Sequence, residues 1–269
     1  MCYYNGQRVP HEEFIRLKML EKAASDFNFL DKELIDGFNY GLAAVIIPKP
    51  GEIDFDIVQM EWGFIPNYLR TREDVSKMRK GYYDSKGEYR KPLITLNAIG
   101  EEVIKPGKMY REAGLHRRCL VLSSGFFEWR HIYPVNKKTG ELLKKAVTYP
   151  HYISLKDQPY FYMAGIWQPW VDKETGEMVN TVALLTAPAN SLMEQVHNSK
   201  KRMPTILNDE LAYEWLFDDL TEERISELAV TQCPSELMTA YSIARDFKAS
   251  PEPRTPFDYP ELPPLVFAA

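Results

Sequence analysis

Arg118-Cys119-Leu120-Val121-Leu122 and, across Ser123-Ser124-Gly125, Phe126-Phe127-Glu128-Trp129-Arg130 are two closely spaced runs dominated by aliphatic and aromatic residues. Such runs read as β-strands. Similar runs recur on both sides: Tyr40–Ile47, Ile53–Met60 and Leu93–Leu96 upstream, Thr148–Leu155, Tyr160–Trp167 and Val179–Thr186 downstream. Lys137-Lys138-Thr139-Gly140-Glu141 and Lys173-Glu174-Thr175-Gly176-Glu177 read as Gly-containing hairpin turns. Helical patterning is found at His11–Lys22, Asn190–His197, Asp209–Phe217 and Thr221–Val230, the last with Glu222 and Glu223 in its first turn. Beyond Ser250 the prolines predict an extended arm. No Gly- or Ser-rich linker divides the chain, so the expectation is an α+β fold: one β-rich domain over residues 1–248 with peripheral helices, and a Pro-rich tail over 249–269.

The 269 residues are 45% hydrophobic and 26% charged, with a formal net charge of -5. That composition excludes disordered, collagen-like and coiled-coil chains, and the charge excludes a protein that is basic all over. The charge is unevenly placed, however. Residues 209–269 hold 13 acids and 4 bases, whereas the other 208 residues hold 25 acids and 29 bases. Arg70 to Lys91 carries eight bases against four acids, interleaved with Tyr82, Tyr83 and Tyr89; Lys105 to Arg118 and Lys200-Lys201-Arg202 are two further basic runs. Each reads first as a solvated loop. Three cysteines, with no C-x-x-C pair, make no disulfide framework, and neither a secretory signal nor a membrane span is visible, so a cytoplasmic protein is expected. His11, His116, His131, His151 and His197 lack metal-ligand spacing, and no Gly-rich phosphate loop stands out. No metal and no cofactor is expected.

Cys2 is the most informative single position. With Met1 removed it carries a free α-amine beside its thiol, with reference pKa values of about 7.7–8.0 and about 8.5. Such a 1,2-aminothiol condenses with an aldehyde to an imine, which the thiol closes to a thiazolidine. The same thiol is alternatively an acyl-transfer nucleophile with the amine as its base. Glu128, between aromatics in a strand-like run, is a candidate for a desolvated acid and base, or equally a surface residue of an alternating strand. His197 closes an apolar helix, where it reads as a helix-end cap or a catalytic group. Asn97 is a candidate for holding the amine or stabilising an oxyanion.

In order along the chain, Met1-Cys2, Trp62-Gly63-Phe64-Ile65-Pro66, Asn97-Ala98, Arg118-Cys119-Leu120-Val121 with Gly125-Phe126-Phe127-Glu128-Trp129, Ala164-Gly165-Ile166-Trp167, His197 with Arg202-Met203-Pro204, and Ala240-Tyr241-Ser242-Ile243-Ala244-Arg245 resemble the SOS-response-associated peptidase (SRAP) family. The resemblance implies a single domain of twisted antiparallel sheets forming a barrel-like core, with a positively charged cleft for single-stranded DNA. It implies a DNA-repair role, in which Cys2 crosslinks to the ring-opened aldehyde of an abasic site. Asn97 would position the amine, Glu128 would promote ring opening and proton transfers, and His197 would assist imine formation and crosslink reversal. Tyr3, Tyr4, Trp62, Pro66, Lys200, Lys201 and Arg202 are the implied DNA contacts. The partner is then single-stranded DNA containing abasic sites, with no membrane and no metal, bound by a monomer located in the cytoplasm or at the nucleoid. The chain departs from the family where Tyr3 and Tyr4 follow Cys2 in place of Gly and Arg, where Ile99 replaces an arginine, and where Glu61 precedes Trp62. Two other readings remain: a cysteine-dependent peptidase or amidohydrolase using Cys2, Glu128 and His197, and a non-catalytic nucleic-acid-binding relative.

Overall fold

A computed structural model describes residues 4–6, 32–52, 54–136 and 138–266. Cys2, Tyr3 and the helix expected at His11–Lys22 lie outside the described residues. The strands, in chain order, begin with β1 (Tyr4–Gly6), β2 (Ile35–Asp36), β3 (Leu42–Pro48), β4 (Phe55–Trp62), β5 (Tyr82–Tyr83), β6 (Tyr89–Arg90) and β7 (Asn97–Ile99). They continue with β8 (Arg118–Ser123), β9 (Gly125–Ile132), β10 (Val147–Leu155), β11 (Phe161–Val171), β12 (Met178–Pro188), β13 (Arg202–Pro204), β14 (Ile206–Leu207) and β15 (Met238–Ser242).

Five strands close into a ring, β12-β4-β3-β8-β11 and back to β12. An odd ring cannot alternate direction all the way round, so one joint must be parallel. That joint is β12 to β4, through Thr181 opposite Glu61 and Val182 opposite Trp62. Closure removes the sheet edges that an open sheet would leave exposed. A second, antiparallel sheet runs β15-β10-β9-β1-β2. Because β8 and β9 are separated only by Ser124, the barrel feeds directly into this sheet.

Burial explains why the run at 118–122 is apolar throughout and not alternating: both of its faces are covered. Cys119 and Val121 join Val45, Trp62, Met163, Val182 and Leu184 in one cluster within the barrel. Leu120 and Leu122 join Ala44, Ala164 and Leu185 in another, packed under Trp215 of the helix Asp209–Phe217 and Ile225 and Leu228 of the helix Glu222–Ala229. The expected helix at Asn190–His197 is Ser191–Val196, with Asn190 as N-cap and His197 at the C-cap. Both expected hairpin turns form, with Gly140 and Gly176 at φ of 72° and 76°.

Three sequence expectations are corrected. Leu93–Leu96 is not a strand: Thr95 and Leu96 spend their carbonyls on the N–H groups of Phe64 and Leu184, and ladder pairing begins only at Asn97. The basic run at 70–91 is not one loop, because Arg72–Lys80 is a helix with a Thr71/Asp74 capping box and buried Val75 and Met78. The run at 105–118 likewise contains the short helix Arg111–His116.

The chain beyond Ser250 is tied to the body. Tyr259 donates its hydroxyl to the Ile243 carbonyl and packs its ring on Tyr149. The Pro263 carbonyl accepts from Arg130, and Val266 exchanges two hydrogen bonds with the Gln195 side chain. No helix among the described residues is long and apolar enough to cross a membrane.

Candidate active site

Strand β9 places alternate side chains on opposite faces. Phe127 joins Tyr4, Tyr152 and Phe247 on one face, while Phe126 joins the barrel cluster on the other. Glu128 shares the face of Phe126 and is 4% exposed. Burial pushes its carboxyl up to about 7.

His197 stands at the end of the helix Ser191–Val196, with its backbone N–H bonded to the Met193 carbonyl. Its Nδ1 lies 2.8 Å from the Arg202 carbonyl oxygen. A carbonyl only accepts, so Nδ1 carries the proton and the neutral ring keeps its lone pair on Nε2. That Nε2 is 3.9 Å from Glu128 Oε2. Burial first, with the nearby positive charge of Lys200 adding to it, pushes His197 down to about 4. At neutral pH the ring is therefore uncharged, and the contact is not an ion pair. It sets a carboxyl poised between its two protonation states beside an imidazole lone pair, at a distance that a water or a substrate atom can bridge.

Asn97 is buried on β7, beside Leu184 of β12. Further along the same register, β7, β12 and β13 lie side by side as Ile99, Thr186 and Pro204. The row therefore connects the strand of Asn97 to Arg202, whose carbonyl fixes His197. Two further buried polar residues lie next to Phe126 and Glu128 by strand register, and the sequence did not single them out for the site. Asn5 on β1 donates to the Leu122 carbonyl and accepts from the Ser123 hydroxyl at 2.5 Å, anchoring β1 to the β8–β9 junction. His151 stands directly across from Glu128 on β10, is 1% exposed, donates Nδ1–H to the Tyr149 carbonyl, and is pushed down to about 4 by burial. The signal for both was strand register, which no local pattern carries.

Several expected DNA contacts prove to be interior or engaged. Tyr4 is 5% exposed, its ring packed on Trp129 and Phe247 with the Lys248 ammonium 3.9 Å from its centroid, so it has no open face for a base. Trp62 fills the barrel and donates Nε1–H to the Leu96 carbonyl, and Pro66 is buried. Arg202 grips Glu101 with both terminal nitrogens, at 2.5 and 2.7 Å, and also bonds the Thr186 carbonyl. Lys201 is exposed but lies 3.3 Å from Glu194, and Lys200 is exposed. Glu61 has its own basic partners, since Arg72 and Arg79 both bind it, at 3.0 and 2.7 Å. Of the other two cysteines, burial raises the Cys119 thiol and raises Cys233 to about 11, which disfavours thiolate at neutral pH. Among the described residues no group of three or more His, Cys, Asp and Glu is placed to hold a metal.

A family model described as SOS response associated peptidase (SRAP) matches residues 38–250. The chain is 26% identical over 189 residues to the abasic site processing protein YoqW of Bacillus subtilis (strain 168), spanning 69% of this chain and 68% of that one. It is 24% identical over 248 residues to the abasic site processing protein YedK of Escherichia coli (strain K12), spanning 91% and 93%. The match to the abasic site processing protein HMCES of Pongo abelii, 24% over 203 residues, spans 70% of this chain and 52% of that one. A crystal structure of a protein from Bacteroides thetaiotaomicron superposes with a TM-score of 0.75 at 28% identity, over 95% of this chain and all of that one.

Proposed function

Because the chain belongs to the SOS response associated peptidase (SRAP) family, we propose that it processes abasic sites by capturing them covalently on Cys2 in single-stranded DNA. The observation that carries this reading is the buried Glu128–His197 pair, whose Glu128 lies on β9, the strand that β1 joins. Only Tyr3 stands between Cys2 and Tyr4, a reach of at most about 7 Å, and Tyr4 precedes Asn5, the ladder partner of Phe126.

In this reading the abasic sugar opens as Glu128 gives its proton to the ring oxygen and the C1 hydroxyl proton passes to His197 Nε2. The Cys2 amine, held by Asn97, then adds to the aldehyde carbon. The carbinolamine loses water as an imine forms. The thiol adds across that imine, its proton ending on nitrogen, so the thiazolidine forms with net loss of one water. The exposed Lys200 supplies positive charge beside the site for a neighbouring phosphate.

Intact-mass measurement under denaturing conditions, after incubation with an abasic single-stranded oligonucleotide, tests the reading. The expected product is protein without Met1 plus oligonucleotide minus one water, absent for Cys2→Ala and for protein that retains Met1. Wild-type protein lacking Met1 that forms no adduct, while releasing product from a peptide or amide substrate, would replace this reading with a hydrolase.

A further inference from the structure

The segment between the helix Arg72–Lys80 and Asn97 forms a two-stranded hairpin, β5–β6, that pairs with no other strand among the described residues. Its turn is organised by Asp84, which accepts the backbone N–H groups of Lys86 and Glu88 and binds Arg90. A ribbon of this size contributes little core, yet it displays aromatic surface. Tyr82, Tyr83 and Tyr89 are 41%, 74% and 52% exposed. Tyr83 and Tyr89 stand opposite one another, ring centroids 5.2 Å apart.

The charge around these rings is equally one-sided. Each of the four acids between Arg70 and Lys91 is engaged locally: Glu73 with Lys77, Asp74 in the helix cap, and Asp84 and Glu88 with Arg90. Arg72 and Arg79 are taken by Glu61. That leaves Arg70, Lys80, Lys86 and Lys91, all exposed, with no ion pair among the described residues. Past Lys91 the chain turns inward, with the Leu93 N–H on the Met78 carbonyl and the Leu96 carbonyl on Trp62 Nε1, and reaches Asn97. The hairpin is thus joined to the strand of Asn97 by a short segment anchored at both ends.

We propose that this hairpin is a platform for single-stranded DNA, on which bases stack against Tyr83 and Tyr89 while Lys80, Lys86 and Lys91 neutralise phosphates, extending the grip beyond the abasic nucleotide. Unpaired cations beside solvent-facing rings are the combination that holds a single strand without reading its sequence. The inference rests on the reading of this chain as a single-stranded DNA protein but not on the Cys2 chemistry.

Fluorescence anisotropy with a 20-nucleotide oligothymidylate tests it, using wild type, Tyr83→Ala/Tyr89→Ala and Lys86→Ala/Lys91→Ala. The tyrosine variant is expected to bind about tenfold more weakly. The lysine variant is expected to flatten the slope of log K against log salt by about 1.4, because two phosphates are no longer neutralised. All four positions are exposed, so thermal midpoints should match wild type. Crosslinking of an abasic trinucleotide by the same proteins reads the Cys2 chemistry separately and should be unchanged. Equal affinity and salt slope in all three proteins overturns the inference, and so does wild type without affinity for oligothymidylate. A hairpin-dependent affinity in a protein that forms no crosslink sustains the platform and sinks the covalent reading.

Discussion

His197 Nε2 faces Glu128 Oε2 at 3.9 Å, with only 7% and 6% of the two side chains reaching solvent. Because the Arg202 carbonyl holds the other ring nitrogen, the imidazole cannot turn its lone pair away without breaking that bond. Burial then separates the two titrations in the direction opposite to an ion pair: the carboxyl rises to about 7 and the imidazole falls to about 4. Between those values both groups are neutral, which is the cheapest way to keep two ionisable groups out of water.

The first consequence is for stability. Glu128 has a folded pKa above its unfolded one, so the folded state holds its proton more tightly. Its contribution is full below about 4.5 and is lost as pH rises through about 7. Glu128→Gln, which is never charged, should therefore gain on wild type between pH 4 and pH 8 by about 3 kcal/mol. Urea unfolding of both proteins at the two pH values measures this, and a difference that does not change with pH would show that Glu128 is not desolvated.

The second concerns rate. If Glu128 donates and the Cys2 amine attacks, the reaction needs a protonated carboxyl, lost above about 7, and a free amine, gained near about 7.7–8.0. Single-turnover crosslinking should then be bell-shaped in pH, with its maximum between about 7 and about 8. Glu128→Gln should be slower by about 100-fold or more and should lack the alkaline fall. A retained alkaline limb in that variant would assign the limb to another group.

Gly100 supplies a steric test of the support beneath Asn97. A Cβ there would lie 2.1 Å from the Ala229 carbonyl oxygen and 3.0 Å from that of Thr186, both backbone atoms that cannot swing aside. Gly100→Ala should cost about 1–3 kcal/mol by overpacking. Chemical denaturation reads the loss, and an unchanged midpoint would mean that β7 and the helix Glu222–Ala229 part easily.

Termination after Ser250 tests the arm. It removes the bonds of Arg130 to Pro263 and Gln195 to Val266, and the packing of Tyr259 on Tyr149. Net values for hydrogen bonds and aromatic pairs give an expected loss of about 2–4 kcal/mol, or roughly 5–15 °C in the thermal midpoint for a chain of this size. Calorimetry of the truncated protein decides it, and an unshifted midpoint would show that these contacts add nothing to stability.

Much of the fold was legible locally. The apolar runs at 118–122 and 126–130, the helix at 209–217 and the two Gly-containing turns all formed, because propensity, periodicity and turn chemistry act over a few residues. Leu93–Leu96 misled for a definite reason: its composition suits a strand, but its carbonyls had distant partners in Phe64 and Leu184. The helix Arg72–Lys80 was hidden by its charges, although Thr71 and Asp74 carried a capping signal.

The sequence by itself determined a β-rich chain whose acidic charge is concentrated in one quarter and whose Cys2, Asn97, Glu128 and His197 stand in a family's order. Only the tertiary structure decided what several of these side chains meet. Closure of five strands buried Trp62, the pairing of β1 with β9 put Tyr4 among aromatics, and Glu101 took Arg202 from solvent. Exposure and pKa depend on partners that can be a hundred residues away in sequence, and strand register, which no local pattern encodes, chooses those partners.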